Sequence, residues 1–211
     1  MATETAGKIL REGSAKKRAD ILTAARDLFH SEGFDRTSVD AISARAGVSK
    51  RTVYDYFGDK QALLIAVIES LSQALMDAIR VAIADNLVEF DDLEAALVDF
   101  SMRVVSSTMG SSEYTTLIHL VTKEAPQLPH VALDDWIDTA PEEAIAERFA
   151  EFGRRGLLEV PDPRLAADHF VALAFLGVTN GAKSSQQLDE AIARRSVVEG
   201  VRAFLRAYAS R

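Results

Sequence analysis

The 211-residue chain contains no cysteine, which excludes disulfides, thiolate metal sites and a cysteine nucleophile. Its five prolines, Pro126, Pro129, Pro141, Pro161 and Pro163, all lie in the second half. The first half therefore meets no proline that would stop a helix. Long apolar runs are also missing. The longest, residues 170–178, is about half of the roughly 20 residues that a membrane helix needs. No apolar signal-peptide region opens the chain, so a soluble, cytoplasmic protein without a membrane partner is expected. Cations are in deficit as well, with 24 Lys and Arg against 32 Asp and Glu and a net charge of −8. As a whole-chain average, that deficit disfavours a polyanionic partner, whose phosphates must be neutralised.

The average conceals a split. Residues 1–60 carry 11 basic and 9 acidic side chains, a net charge of +2, whereas residues 61–211 carry 13 basic and 23 acidic ones, a net charge of −10. With 48% apolar and 27% charged residues, the chain has enough apolar side chains to offset the conformational entropy of folding. No period-2 run with turn signals at both ends is present, and an all-α fold is expected.

Apolar spacing predicts the helices. The first 14 residues read as a flexible tail, followed by a helix over 16–32 with Ile21, Leu22, Ala25, Leu28 and Phe29 on one face. Gly33 supplies a left-handed stop, and Phe34 folds back on Phe29. Thr37 reads as the cap of a short helix ending at Ala46, and Ser49 as the cap of another over 50–57. Gly58 ends that helix, and Asp59 caps one that reaches Ala84. Further helices are expected over 92–109, 113–124 and 130–155, the last kinked or broken at Pro141, where Thr139 and Glu142 form a capping-box pair. Asp162 and Pro163 open a helix through Val178, and a final helix covers 186–209.

Two short helices joined by Ala46-Gly47-Val48-Ser49 have the dimensions of a helix-turn-helix, whose second helix enters the DNA major groove. That helix offers Lys50, Arg51, Thr52, Tyr54 and Tyr56. Arg can bond one guanine twice, Thr can meet a base, and Tyr and Lys reach phosphates. At helix starts, Thr37, Ser38, Ser49 and Lys60 are candidates for holding phosphate beside free N–H groups. Val39, Ile42, Val48, Val53 and Phe57 read as core alone. Tyr54 and Tyr56 are also compatible with packing, and Arg51 with an ordinary solvated charge.

The run Ile21-Leu22-x-x-Ala25-x-x-Leu28-Phe29-x-x-x-Gly33-Phe34 is followed by Thr37-Ser38-Val39-x-x-Ile42-x-x-x-Ala46-Gly47-Val48-Ser49 and Thr52-Val53-Tyr54-x-Tyr56-Phe57-x-x-Lys60-x-x-Leu63-Leu64. This pattern resembles the tetracycline-repressor (TetR) family of bacterial transcriptional regulators. The resemblance implies a homodimeric repressor with a three-helix DNA-binding head, residues 15–60, and a helical effector-binding and dimerisation domain, residues 61–211. It places the reading helix at 50–57, with Tyr54 and Lys60 at backbone-contacting positions. Asp55 sets an acid on that helix and leaves the base preference open.

The second domain has no motif of comparable specificity. His30, His119, His130 and His169 lack metal-site spacing, no phosphate loop or nucleophile motif is present, and no cofactor is expected. Gly177 and Gly181 read as a helix cap and turn. Large side chains on predicted helices, Phe100, Met102, His119, Trp136, Phe149 and Phe170, are candidate walls of an apolar effector pocket. As the resemblance implies pairing of the last two helices, Leu165, His169, Ala172, Leu176, Leu188, Ile192, Leu205 and Tyr208 are the candidate dimer interface. The expected partners are double-stranded operator DNA, an unknown small-molecule effector and a second copy of the chain. The competing reading is a helical regulator that acts through protein contacts with little sequence-specific DNA binding; an enzyme built on the helical domain is the least favoured.

Overall fold

The computed structural model describes residues 2–109, 111–124, 140–182 and 189–210. The chain forms α1 (Ala2–Glu32), α2 (Val39–Ala46), α3 (Lys50–Phe57), α4 (Lys60–Asn86), α5 (Leu93–Val104), α6 (Ser112–His119), α7 (Ala140–Arg154), α8 (Pro163–Ala182) and α9 (Glu190–Tyr208). Among the described residues there is no strand, only an isolated bridge between Leu158 and Ala209. The fold is all-α.

Short polar side chains take up the free N–H groups at the helix starts. The Oγ of Ser49 accepts from Thr52 N at 3.0 Å, and the Oδ1 of Asp59 accepts from Ala62 N at 2.8 Å. Asp92, Asp162 and Asp189 do the same for α5, α8 and α9. At α2 the cap is Ser38, which accepts from Ala41 N at 3.1 Å, and not Thr37 as expected. Gly33 and Gly47 have φ of 85° and 66°, the left-handed stops that an L side chain resists. The Phe29 and Phe34 rings pack 5.5 Å apart across the first of these.

Several boundaries differ from expectation. α1 begins at Ala2, so the segment expected as a tail is helical; its Ala, Glu, Lys, Leu and Arg residues are good helix formers. α5 and α6 each widen into a π-helical turn, Val105–Met109 and Leu120–Glu124, where uninterrupted α-helices were expected. Pro141 is the second residue of α7, a first-turn position where a missing N–H costs no hydrogen bond. Thr139, the proposed capping-box partner of Glu142, lies outside the described residues. Gly181, expected in a turn, lies within α8. α4 is long and apolar enough to cross a membrane by length and composition alone, yet Leu63, Leu64, Val67, Ile68, Leu71, Ile79 and Ile83 on it are buried within the protein.

The chain divides into two compact units, one of Met1–Leu71 with Thr116–Leu133, the other of Ser72–Thr115 with Asp134–Arg211. In the first, α1 packs on α2 and α2 on α3, burying Ile21, Leu28, Phe29, Ile42 and Val53. In the second, α8 packs against α7 and α9, and α9 against α5. Its core is aromatic. Phe149 lies 5.1 Å from Phe204, 5.4 Å from Phe170 and 6.1 Å from Phe152, ring centre to ring centre.

Where α8 crosses α9 the backbones nearly touch. A Cβ on Gly200 would collide with the Leu173 carbonyl and lie 2.9 Å from Ala174 Cα. Backbone cannot swing aside, so Gly200→Ala should lower stability by about 1–3 kcal/mol or more, read as the shift in the urea unfolding midpoint. Gly177 lies within α8, not at a cap as expected, and a Cβ there would collide with the Ser196 hydroxyl and lie 3.4 Å from Ser196 Cβ. The hydroxyl can rotate away, and Gly177→Ala should cost less than Gly200→Ala.

Candidate nucleic-acid interface

α2 and α3 are set at their angle by a few contacts within the head. After α2 ends at Gly47, the N–H of Val48 donates to Ser43 O at 3.0 Å, closing the turn. The Lys50 ammonium donates to Asp40 Oδ2 at 2.8 Å and ties the start of α3 to α2. This hydrogen bond and the Asp40 charge hold the Lys50 ammonium above its ordinary pKa, so it is cationic at neutral pH. Arg45 bonds Asp27 at 3.2 Å and braces α2 against α1.

With Val53 buried, α3 turns its other face outward. The Arg51 side chain is 90% exposed and reaches only a loose pairing with Asp55 at 3.8 Å. Tyr54 is 42% exposed. Thr52 is half-buried, its hydroxyl 2.8 Å from the Ser49 hydroxyl. Ser38 and Ser49 are exposed at the starts of α2 and α3, and Lys50, next to Ser49, is exposed as well.

Three candidates have other tasks. Thr37 is 1% exposed, and its hydroxyl donates to Gly33 O at 2.8 Å and to Leu28 O at 3.2 Å. It therefore fixes the turn and presents no side chain to phosphate. The Lys60 ammonium donates to Phe34 O at 2.9 Å and Thr37 O at 3.1 Å and sits 4.2 Å above the Phe34 ring. Two of its three N–H bonds are thereby committed to the same turn. The Tyr56 hydroxyl lies 2.7 Å from the Ser14 hydroxyl and donates to Ser14 O at 3.2 Å. Sequence reading missed Ser14 and Asp40, because pairs separated by 42 and 10 positions leave no periodic signal.

Comparison with known proteins decides what such a head belongs to. The model of the bacterial regulatory proteins of the tetR family matches residues 21–67, and that of the AefR-like transcriptional repressor C-terminal domain matches residues 95–210. The chain belongs to the TetR family of transcriptional regulators. A TetR-family regulator from Mesorhizobium loti shares the fold with a TM-score of 0.82 and 30% identity, over 93% of this chain and 98% of that one. The flavonoid-responsive regulator FrrA matches with a TM-score of 0.71 and 27% identity, over 93% and 99%. Among curated relatives, the transcriptional regulator RutR of Escherichia coli is 47% identical over 70 residues, a match spanning 33% of this chain and 32% of RutR. The transcriptional activator FasR of Mycolicibacterium smegmatis is 26% identical over 194 residues, 90% of this chain and 81% of FasR.

In this TetR-family chain three of the candidate pocket residues sit in the core of the second unit. Phe100, Phe149 and Phe170 are wholly buried and packed on one another. They are core, because rings at 5–6 Å leave no room for a ligand between them. Met102 is half-buried against the same core. His119 belongs to the first unit, where its ring meets His30 edge-on at 5.3 Å. Its buried Nδ1 has no hydrogen-bond partner. Trp136 lies outside the described residues.

The candidate dimer residues are more exposed. Leu165, His169, Ala172 and Leu176 are exposed on α8, and Ile192 is 63% exposed on α9. A groove of about 610 Å³ runs between these helices, lined by Leu173, Leu176, Ile192, Ser196 and Ala203. Leu205 faces elsewhere and packs on the chain's own core. Tyr208 stacks on Phe204 at 4.8 Å, and its hydroxyl shares a 2.6 Å hydrogen bond with His169 Nδ1 on the exposed stripe. At about 100° per residue, the 13 positions from Ile192 to Leu205 rotate the side chain by about 220°, away from the exposed stripe. Leu188 lies outside the described residues.

Proposed function

We propose that this regulator is a cytoplasmic repressor that binds a palindromic operator as a homodimer and is released by a small, mostly apolar effector. The observation that carries the DNA half of this reading is the outward face of α3, where Arg51 and Tyr54 stand exposed on a helix capped and braced from behind. Arg51 is the base-reading residue, suited to the two acceptors of a guanine edge. Tyr54, Lys50, Ser38 and Ser49 hold backbone phosphates, and Thr52 supports the start of the helix. The exposed apolar stripe on α8 and α9 supports pairing with a second copy. Two-fold symmetry then presents two reading helices to successive major grooves.

Release follows if the effector binds better to a conformation whose heads are wrongly spaced. The shift is limited to the ligand's preference between the two states. An apolar effector is supported by FrrA, whose name makes it flavonoid-responsive, and His119 Nδ1 is the buried polar atom proposed to meet it. Repression is supported by the name of the matching C-terminal domain.

Selection of bound sequences from a random DNA pool tests the reading. A palindromic consensus is the expected result, and binding indifferent to sequence at moderate salt would favour action through protein contacts instead. Arg51→Ala should lower operator affinity by about 1–3 kcal/mol per half-site and relax the preference at one base pair of each. Fluorescence anisotropy on a matched set of operator variants measures both. A promoter carrying the consensus should be silenced by the protein, and activation there would reverse the assigned sign.

A further inference from the structure

The start of α1 carries a basic segment that the reading helix does not account for. Lys16, Lys17 and Arg18 are all exposed, and the sequence places Lys8 and Arg11 just before them, with Glu12 the one acid in residues 8–18. Two contacts fasten this segment to α3. Tyr56, on the reading helix, bonds both the hydroxyl and the carbonyl of Ser14. Arg18 lies over the ring of Phe57, 5.4 Å from its centre. A surface of this sign beside the major-groove helix has a complementary neighbour on any bound duplex, namely the phosphates that flank the half-site.

We infer that Lys17 and Arg18 form a second DNA contact, gripping the backbone outside the half-site read by α3, and that the Tyr56–Ser14 hydrogen bonds hold α1 in place to do so. Lys17 and Arg18 are three and four residues after Ser14 and so share its side of α1, whereas Lys16, two residues on, is turned about 200° away. Tyr56 is then a positioning residue whose hydroxyl serves α1. The inference rests on the operator reading above and adds phosphate contacts that carry no base preference.

The test is a salt titration of operator binding with full-length protein, on DNA that extends a full turn beyond each half-site. Each phosphate contact contributes about −0.9 to the slope of log K against log salt. With two copies bound, Lys17→Gln with Arg18→Gln should make the slope shallower by about 3–4, losing affinity equally on all sequences. Lys16→Gln should change the slope by less than about 1. Tyr56→Phe, which keeps the ring, should shorten the protected footprint at its outer edges.

Three outcomes overturn the inference: an unchanged slope for the Lys17/Arg18 variant, an equal loss for Lys16→Gln, or a full footprint for Tyr56→Phe. If the wild-type protein shows no sequence preference, the operator reading itself fails and this inference with it. If the wild type binds its operator and the double variant matches its slope, only the second contact fails. Circular dichroism of each variant separates loss of contact from loss of fold.

Discussion

A Leu173→Asp, Ile192→Asp variant should sediment as a monomer where the wild type sediments as a dimer, and should bind the full operator about 10²–10⁴-fold more weakly. Both side chains are exposed in the protomer, 42% and 63% respectively, and border the groove between α8 and α9. Neither is needed for the protomer's own core, so the variant should fold. In the proposed dimer they are buried against a second copy, and each Asp would bring an unpaired charge into that contact, a change costing several kcal/mol. Affinity falls because two linked heads bind two half-sites with the second step intramolecular, an advantage that a lone head lacks. Analytical ultracentrifugation and anisotropy on half-site and full-site DNA make the check. A variant that stays dimeric with unchanged operator affinity would place the interface elsewhere.

Phe149→Ala should destabilise the protein by about 3–5 kcal/mol, lowering Tm by about 6–20 °C for a chain of this size. The residue is wholly buried and touches the rings of Phe152, Phe170 and Phe204. Truncating it removes contacts from all three and leaves a cavity that rigid neighbours on α7, α8 and α9 can only partly fill. A ligand-pocket residue would behave otherwise, retaining Tm and altering only the effector response. Thermal unfolding followed by circular dichroism distinguishes the two, and an unchanged Tm would restore Phe149 to the effector site.

These cases mark where sequence reading holds and where it stops. Helix ends were legible because their causes are local. Gly33 and Gly47 adopt positive φ, and Ser49, Asp59 and Asp162 cap through bonds spanning three residues. Thr37 was misread for an equally local reason. Thr and Ser at positions 37 and 38 are both competent caps, and only the path of the chain back to Leu28 and Gly33 sends the threonine hydroxyl inward. Leu205 was grouped with Ile192 although a regular helix turns it about 220° away, since apolar side chains suit either face.

The amino-acid sequence by itself determined the all-helical class, the helix-turn-helix and the charge split between residues 1–60 and 61–211. Each follows from periodicity, capping chemistry or charge, quantities that neighbouring residues carry. Tertiary structure alone decided that Phe100, Phe149 and Phe170 fill a core, that Lys60 holds a turn, and that Tyr56 reaches Ser14. A phenylalanine has the same hydropathy in a core and in a pocket, and a lysine the same charge against a carbonyl and against a phosphate. What distinguishes them is the partner that folding brings from 23 to 55 positions away, and such pairings have no period along the chain.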